Sequence, residues 1–170
     1  TQAGEEYAEE FLFYLGKKKI RNHIAFEFFR PPDSEILKLI RKNVLNFNVE
    51  ISPESHDEKV RYAFGREYKN RELENMIENL VNLGCKRIDI FFMTGLPHQT
   101  YSSVIKTAEY CINLMEEFRF SKVLTFISPL APFLDPGSII FENPEKYGYK
   151  LFFKTAKDHI KAADAPSWKY

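Results

Sequence analysis

A polar stretch over residues 50–58, Glu-Ile-Ser-Pro-Glu-Ser-His-Asp-Glu, holds the densest group of side chains that could do chemistry. Its carboxylates, hydroxyls and imidazole are groups that bind polar ligands, exchange protons or hold metal ions. Glu54 comes first after the predicted strand and is best placed at the strand end. The alternative interpretation is helix capping, in which Ser55 or Asp57 offers an oxygen to the following turn and Glu58 satisfies amides.

Charged residues on either side of this stretch add candidates. Glu27 faces away from its neighbours on a predicted strand, so it is either a functional carboxylate or one half of an ion pair with a nearby arginine. Arg61 and Arg66 could each hold a carboxylate or phosphate through two parallel hydrogen bonds. Either arginine could equally pair with Glu67 or Glu72 on the surface.

Two later loops have compositions suited to ligand contact. Residues 93–100 read Met-Thr-Gly-Leu-Pro-His-Gln-Thr, in which Gly95 before Leu-Pro lets another group approach the backbone closely. Residues 127–138 are irregular and rich in proline and apolar side chains. Such a loop could support a flat aromatic ligand or cap one end of the fold.

One combination of these candidates would be a metal site. Glu27, Glu54, His56 and His98 all belong to predicted strand ends. If they converge, they could form a hard or borderline metal site of a hydrolase or isomerase. This hypothesis is the alternative to the function inferred below.

The elements that position these loops follow from hydrophobic periodicity and from proline and glycine punctuation. The patterns predict strands near residues 23–29, 47–52, 87–93 and 122–127, and helices near residues 5–18, 33–46, 70–83, 101–118 and 147–163. Asn70 is expected to cap the third of these helices, and Gly84 is expected to end it in a left-handed conformation.

Strands separated by room for a helix need crossover connections and therefore pair in parallel. We expect an α/β fold with about four strands and five helices, either an open sheet or a partial parallel (β/α) barrel. Polar, proline-rich loops and the lack of a glycine-rich phosphate turn favour the barrel. A closed eight-stranded barrel needs about 250 residues, more than the 170 present. In either architecture ligands gather at the carboxyl ends of the strands.

Composition excludes several classes of function. The 24 basic and 24 acidic side chains give a net charge of zero, so there is no electrostatic basis for nucleic-acid binding. The basic run Lys17-Lys18-Lys19 closes a helix that opens with glutamates, the order that the helix dipole favours. No window approaches the roughly 20 apolar residues of a membrane span, and no signal-peptide pattern is present, so we expect a cytoplasmic protein.

The two cysteines, Cys85 and Cys111, are too few for a disulfide-stapled domain or a cysteine-ligated cluster. A packing role is expected for both. The second lies on an apolar stripe of the fourth predicted helix and is expected to be a buried thiol; the stripe comprises Val104, Ala108, Cys111, Ile112 and Met115.

The order of the motifs resembles a known family. Ser52-Pro53-Glu54-Ser55, then Arg66, then Phe91-Phe92-Met93-Thr94-Gly95-Leu96-Pro97-His98-Gln99-Thr100 resembles the second half of radical S-adenosylmethionine (SAM) domains of iron–sulfur oxidoreductases. The most similar group carries an N-terminal cobalamin-binding domain. The resemblance covers about residues 20–130 and implies a partial, TIM-barrel-like (β/α)6 barrel. Residues 1–170 would be a single domain that supplies the third to sixth strands.

The resemblance implies roles for particular residues. Glu54 or Ser55 would contact the ribose of SAM, and Arg66 would meet its methionine carboxylate. The residues expected against or around the adenine are Met93, Gly95, Leu96, Ile127 and Ser128. Gln99 stands where the family has a glutamate, which leaves a polar contact but removes its charge.

The resemblance also implies what lies elsewhere. The family's Cys-x3-Cys-x2-Cys motif, which binds the [4Fe–4S] cluster, would lie upstream of Thr1, and the absence of an initial Met suggests a piece of a longer parent. That parent would cleave SAM reductively to a 5′-deoxyadenosyl radical, for hydrogen abstraction or methyl transfer. The isolated chain is expected to be inactive. Its partners would be the cluster-binding half barrel, a cobalamin-binding domain and, through exposed strand edges, a second copy.

Overall fold

The computed structural model describes residues 4–129 and 136–164. Four parallel strands form one sheet in the order β1-β2-β3-β4: β1 (Ile24–Phe28), β2 (Phe47–Glu54), β3 (Ile88–Thr94) and β4 (Val123–Pro129). Seven α-helices occur within the described residues: α1 (Glu5–Lys17), α2 (Ser34–Asn43), α3 (Glu58–Ala63), α4 (Asn70–Asn82), α5 (Tyr101–Glu117), α6 (Ile139–Glu142) and α7 (Ala156–Ala163). A 3₁₀ helix covers Glu145–Tyr147.

The α/β fold predicted from the spacing is confirmed. All three strand pairs are parallel, and neighbours in the chain are neighbours in the sheet. Because such crossovers are almost always right-handed, consecutive strands in this order place their helices on the same side. The arrangement is consistent with a fragment of a parallel barrel.

Alternation along the strands separates a covered face of the sheet from an open one. On β2, Phe47, Val49 and Ile51 are fully buried and join a core that includes side chains from α1, α2, α4 and α5. On β3, Ile88 and Ile90 continue that core. The opposite face is more exposed, since Leu124 and Phe126 of β4 are each 38% accessible. The core therefore lies between one face of the sheet and the helices.

The open face combines carboxylates with aromatic rings. Glu27, Glu50 and Asp89 are neighbours across β1, β2 and β3. Asp89 is paired with Arg87, whose Nε lies 2.8 Å from Asp89 Oδ1. Within the described residues, Glu27 takes part in no ion pair, so the ion-pair interpretation of this residue is not supported.

The predicted end of β2 at residue 52 is wrong, because pairing with β3 continues beyond Pro53. The register of β2 against β3 shifts between Ile51 and Glu54, and pairing resumes at Glu54 opposite Phe92. Pro53, which has no N–H to donate, falls within this irregularity. β2 therefore extends two residues beyond its predicted end at residue 52, to Glu54.

Three helix predictions need correction. α5 buries Ser103, Thr107, Cys111 and Leu114, whereas Ile112 and Met115 of the predicted stripe are exposed. The buried face tolerates the hydroxyl of Thr107 because that hydroxyl donates to the carbonyl of Ser103.

The predicted last helix is shorter than expected. Within residues 147–163, only Ala156–Ala163 form an α-helix, which begins at a capping box between Thr155 and Asp158. At α4, Asn70 is the first helical residue rather than the cap, because its side chain bonds other groups. Gly84 does follow that helix with a φ of 76°, as predicted.

Candidate functional site

The loops after β2 and β3 meet at one edge of the sheet, since adjacent parallel strands end together. Glu54 closes β2 with a φ of 66°, a left-handed conformation that is uncommon outside glycine. Glu54 as a whole is only 3% exposed. Oε1 accepts a hydrogen bond from Arg66 Nη2 at 3.1 Å, whereas buried Oε2 has no partner among the described residues. Burial raises the pKa of Glu54, and Arg66 opposes that shift.

Arg66 joins the ends of two strands. Its Nε donates to the carbonyl of Ser52 at 3.2 Å, and its guanidinium lies over the ring of Phe29, 4.5 Å from the ring centroid. Together with the bond to Glu54, these contacts fix the side chain beside β1 and β2. Arg66 therefore pairs with Glu54 and not with Glu67 or Glu72, the surface partners considered from the sequence.

Ser55 and its successors form turns and caps. Ser55 is fully buried, and its Oγ accepts from the N–H of Asp57 at 3.1 Å. Asp57 caps α3 through a bond from the N–H of Lys59 at 3.0 Å, and Glu58 Oε1 accepts from the N–H of Asn70 at 2.8 Å. The capping interpretation of these residues is confirmed. Of the two residues considered for the ribose contact, Glu54 is the one with an unpartnered oxygen.

Arg61 is a fully buried guanidinium that holds this loop in place. It donates to the carbonyls of Ser55, His56 and Tyr68, each at 3.1 Å, and to the side-chain oxygen of Asn70. The ring of Tyr68 lies under the guanidinium, 4.9 Å away. Burial lowers the pKa of this arginine. All these hydrogen-bond acceptors are neutral, so the role of Arg61 is to position backbone rather than to bind an anion.

His56 connects the same loop to α5. Its Nδ1 lies 3.0 Å from the hydroxyl of Thr107. That hydroxyl already donates its proton to Ser103, so its oxygen accepts from Nδ1–H of His56. Burial lowers the pKa of His56, which favours the neutral ring. The residue is therefore engaged in packing.

The Gly-Leu-Pro loop is closed by its own glutamine. Gln99 Oε1 accepts from the N–H groups of Gly95 and Leu96 at 2.8 and 3.2 Å, and Nε2 donates to the carbonyl of Met93 at 3.0 Å. A glutamate could accept the same two bonds but could not donate the third unless protonated. Gln99 thus shapes the loop that the resemblance assigns to adenine.

A residue far along the chain also reaches this loop. The hydroxyl of Tyr149 donates to the carbonyl of Gly95, which has a φ of 86°. Burial raises the pKa of Tyr149. Tyr149 is not among the site residues predicted from the sequence, because nothing in the local pattern near it indicates a contact 54 positions away.

The end of β4 lies beside these groups in register. Ile127 pairs with Phe92, and Ser128 pairs with Met93. Both β4 residues are exposed, which leaves them accessible at the strand end. The middle of the predicted 127–138 loop, residues 130–135, lies outside the described residues.

The alternative metal site is not formed. Across residues 4–129 and 136–164, no three His, Cys, Asp or Glu side chains come close enough to hold a metal ion. Glu27 lies exposed on the open face, the ring of His56 is turned toward α5, and His98 is exposed in a left-handed turn. Positions at predicted strand ends do not bring these residues together as metal ligands, because their side chains point in different directions.

The cysteines take the packing positions predicted for them. Cys111 is 3% exposed in the core on α5. Cys85 precedes β3, and its thiol lies 3.2 Å from the carbonyl of Arg87. Burial raises the pKa of both thiols, which disfavours the thiolate that ligates metals.

Comparison with known proteins identifies distant similarities only. No family model matches the chain. An uncharacterized protein of Methanocaldococcus jannaschii is 21% identical over 100 residues, which cover 59% of this chain and 21% of that protein. The chain therefore spans about a fifth of the length of the curated relative it matches.

The crystal structure of Streptococcus suis SuiB bound to S-adenosylmethionine aligns with 81% of this chain and 36% of that chain. The sequence identity is 10% and the TM-score is 0.28. A TM-score of this size does not define a shared fold. Within the described residues, no helix has both the length and the apolar character to cross a membrane.

Proposed function

We propose that this chain contributes part of the SAM pocket of a radical SAM enzyme. Glu54 carries the proposal: it is a buried, left-handed carboxylate at a parallel strand end, with one oxygen held and the other unpartnered. A buried polar atom without a partner is costly, so it is expected to meet a donor in the functional state. The two hydroxyls of a ribose are donors of the required kind.

The neighbouring strand ends supply the remainder of the proposed pocket. Met93, Gly95 and Leu96 would lie against the adenine, and the loop that Gln99 closes would keep their backbone in shape. Ile127 and Ser128 would border the same pocket, in register with β3. Arg66 would hold the carboxylate of Glu54 and approach the methionine carboxylate of SAM with the same guanidinium.

The electron for SAM cleavage would come from outside this chain. Cys85 and Cys111 do not fit a cluster site, because both are partly or fully buried and lie on separate elements. When bound in the parent, an iron–sulfur cluster would supply the electron for reductive cleavage of SAM. We assign cluster binding, and any cobalamin binding, to the remainder of a longer polypeptide. The isolated chain would bind but not catalyse.

The proposal is tested by titrating SAM into the isotopically labelled chain and following backbone amides by NMR. We expect saturable shifts at residues 54, 95, 96 and 127, with an affinity near the weak, millimolar end of the range. Replacement of the ribose 2′-hydroxyl by hydrogen in the probe should weaken binding several-fold for the native chain.

Two variants make the test specific. Glu54→Ala should abolish the discrimination between ribose and 2′-deoxyribose probes. Glu35→Ala should preserve it, because that glutamate is exposed and pairs with Lys38 on the surface of α2. Absence of saturable shifts up to about 10 mM SAM, or equal discrimination by Glu54→Ala, would refute the proposal.

A further inference from the structure

Exposed aromatic side chains form a stripe on α1. Tyr7, Phe11 and Tyr14 recur at helical spacing and are 58%, 46% and 50% exposed. The rings of Tyr7 and Phe11 lie parallel, with an interplanar angle of 5° and centroids 6.4 Å apart. Spacings of four and three residues are those of a helix-to-helix contact seam. We call these three residues the aromatic stripe.

The aromatic stripe is separate from the face by which α1 joins the core. Ala8 and Leu12 are buried there, and Leu15 packs partly against the same cluster. α1 also contacts α2 on that side, where Gly16 lies against Asn43. Packing within the described residues therefore does not explain why the other side of α1 is aromatic.

Charges on α1 are divided by position along the helix. Its first half contains Glu5, Glu6, Glu9 and Glu10, whereas Lys17, Lys18 and Lys19 follow at its end. At about 100° per residue, Glu6, Glu10 and Lys17 lie on the same side of the aromatic stripe. None of these side chains takes part in an ion pair within the part of the chain that the structure describes.

We propose that two copies of this chain associate through the aromatic stripe, with their α1 helices antiparallel. The twofold axis would pass near Phe11, so that Tyr7 of each copy lies opposite Tyr14 of the other. Glu6 would then approach Lys17 of the other copy, and the symmetry repeats this pair of opposite charges on the other side of the axis. The same surface serves both copies, as a twofold dimer requires. This interface differs from the strand edges expected from sequence.

Sedimentation equilibrium of the native chain tests the proposal. We expect a reversible monomer–dimer equilibrium that weakens as salt rises. Phe11→Ser should weaken dimerisation at least about tenfold, because it removes a central aromatic contact. Phe120→Ser is the matched control, since Phe120 is 92% exposed but lies outside α1, and its dimerisation constant should be unchanged.

A charge exchange tests the antiparallel orientation. The variants Glu6→Lys and Lys17→Glu should each be more monomeric than the native chain, and an equimolar mixture should form heterodimers. Circular dichroism establishes that each variant is folded before it is compared. A native chain that is monomeric at all concentrations, a dimer insensitive to Phe11→Ser, or a mixture that forms no heterodimer overturns the proposal.

Discussion

Glu54 is held in a state that stability alone does not favour. A non-glycine residue with positive φ costs on the order of 1 kcal/mol or more, and its buried Oε2 lacks a partner. Arg66 compensates only one of its oxygens. Costs of this kind collect at functional sites, which is why the proposed ribose contact rests on this residue.

The raised pKa of Glu54 predicts a specific dependence of stability on pH. Because the folded state binds the proton more tightly than the unfolded state, whose pKa is near 4.5, the free energy of unfolding should fall as pH rises from that value through the folded pKa. Urea denaturation at a series of pH values measures this. The variant Glu54→Gln has no ionisable group at this position. Its free energy of unfolding should therefore lack the part of the decrease with pH that Glu54 causes.

Glu35→Gln serves as the comparison for that experiment, because Glu35 is exposed in a surface pair with Lys38. Its stability should follow the native curve. If Glu54→Gln also runs parallel to the native chain between pH 4.5 and neutrality, the carboxylate of Glu54 is not disfavoured by burial.

At the scale of elements, Arg61 organises the connection between β2 and α4. Its donors reach carbonyls in the loop after β2 and in the segment just before α4, so one side chain joins both ends of the segment that contains α3. Asn70 adds a bond to the carbonyl of His56 at 3.0 Å. Arg61 thus positions the backbone of the two residues that directly follow Glu54.

Arg61→Lys should lower the free energy of unfolding by about 3 kcal/mol. Lysine keeps the charge but cannot reach several carbonyls in the fixed planar arrangement of a guanidinium, so buried acceptors lose their donors. Chemical denaturation measures the change. Arg71→Lys, at a 71% exposed side chain on α4, should change stability by no more than about 0.5 kcal/mol, and equal effects of the two variants would contradict the assigned role.

At the scale of the whole molecule, the sheet has two unlike faces. Phe92 is fully buried under the helices, whereas its neighbour Phe91 lies on the open face and stacks on Phe126 with centroids 5.1 Å apart. The same open face carries the carboxylates of Glu27, Glu50 and Asp89 beside these rings, so it offers both polar and aromatic contacts. The proposed pocket lies at the carboxyl end of this face.

Substitution of these adjacent phenylalanines tests the assignment of faces. Phe92→Ala should lower the free energy of unfolding by about 3–5 kcal/mol, the usual cost of removing a core phenylalanine. Phe91→Ala should cost about 1 kcal/mol, since only a partly exposed ring contact is lost. Urea denaturation of the two variants measures both values. Equal losses would mean that the open face is as tightly packed as the covered one.

Local patterns predicted the elements well where periodicity was clear. α4 follows from Leu73, Ile77 and Leu80 on one side and from Gly84 at its end, and the structure contains both features. The predicted buried face of α5 was wrong, because Ser103 and Thr107 lie on the side that packs inward. The hydroxyl of Thr107 bonds to the carbonyl of Ser103 and to the ring of His56, whereas Ser103 Oγ has no partner among the described residues. A hydropathy pattern does not identify polar groups that find hydrogen-bond partners in the tertiary structure.

The sequence by itself determined the alternation of strands and helices, the parallel pairing, and the edge of the sheet where the polar loops gather. These follow from the spacing of residues along the chain. Only the tertiary structure decided that Arg66 holds Glu54, that Arg61 is buried among carbonyls, and that Tyr149 reaches Gly95. Such pairs depend on the direction of each side chain and on contacts between distant segments, which spacing alone does not specify.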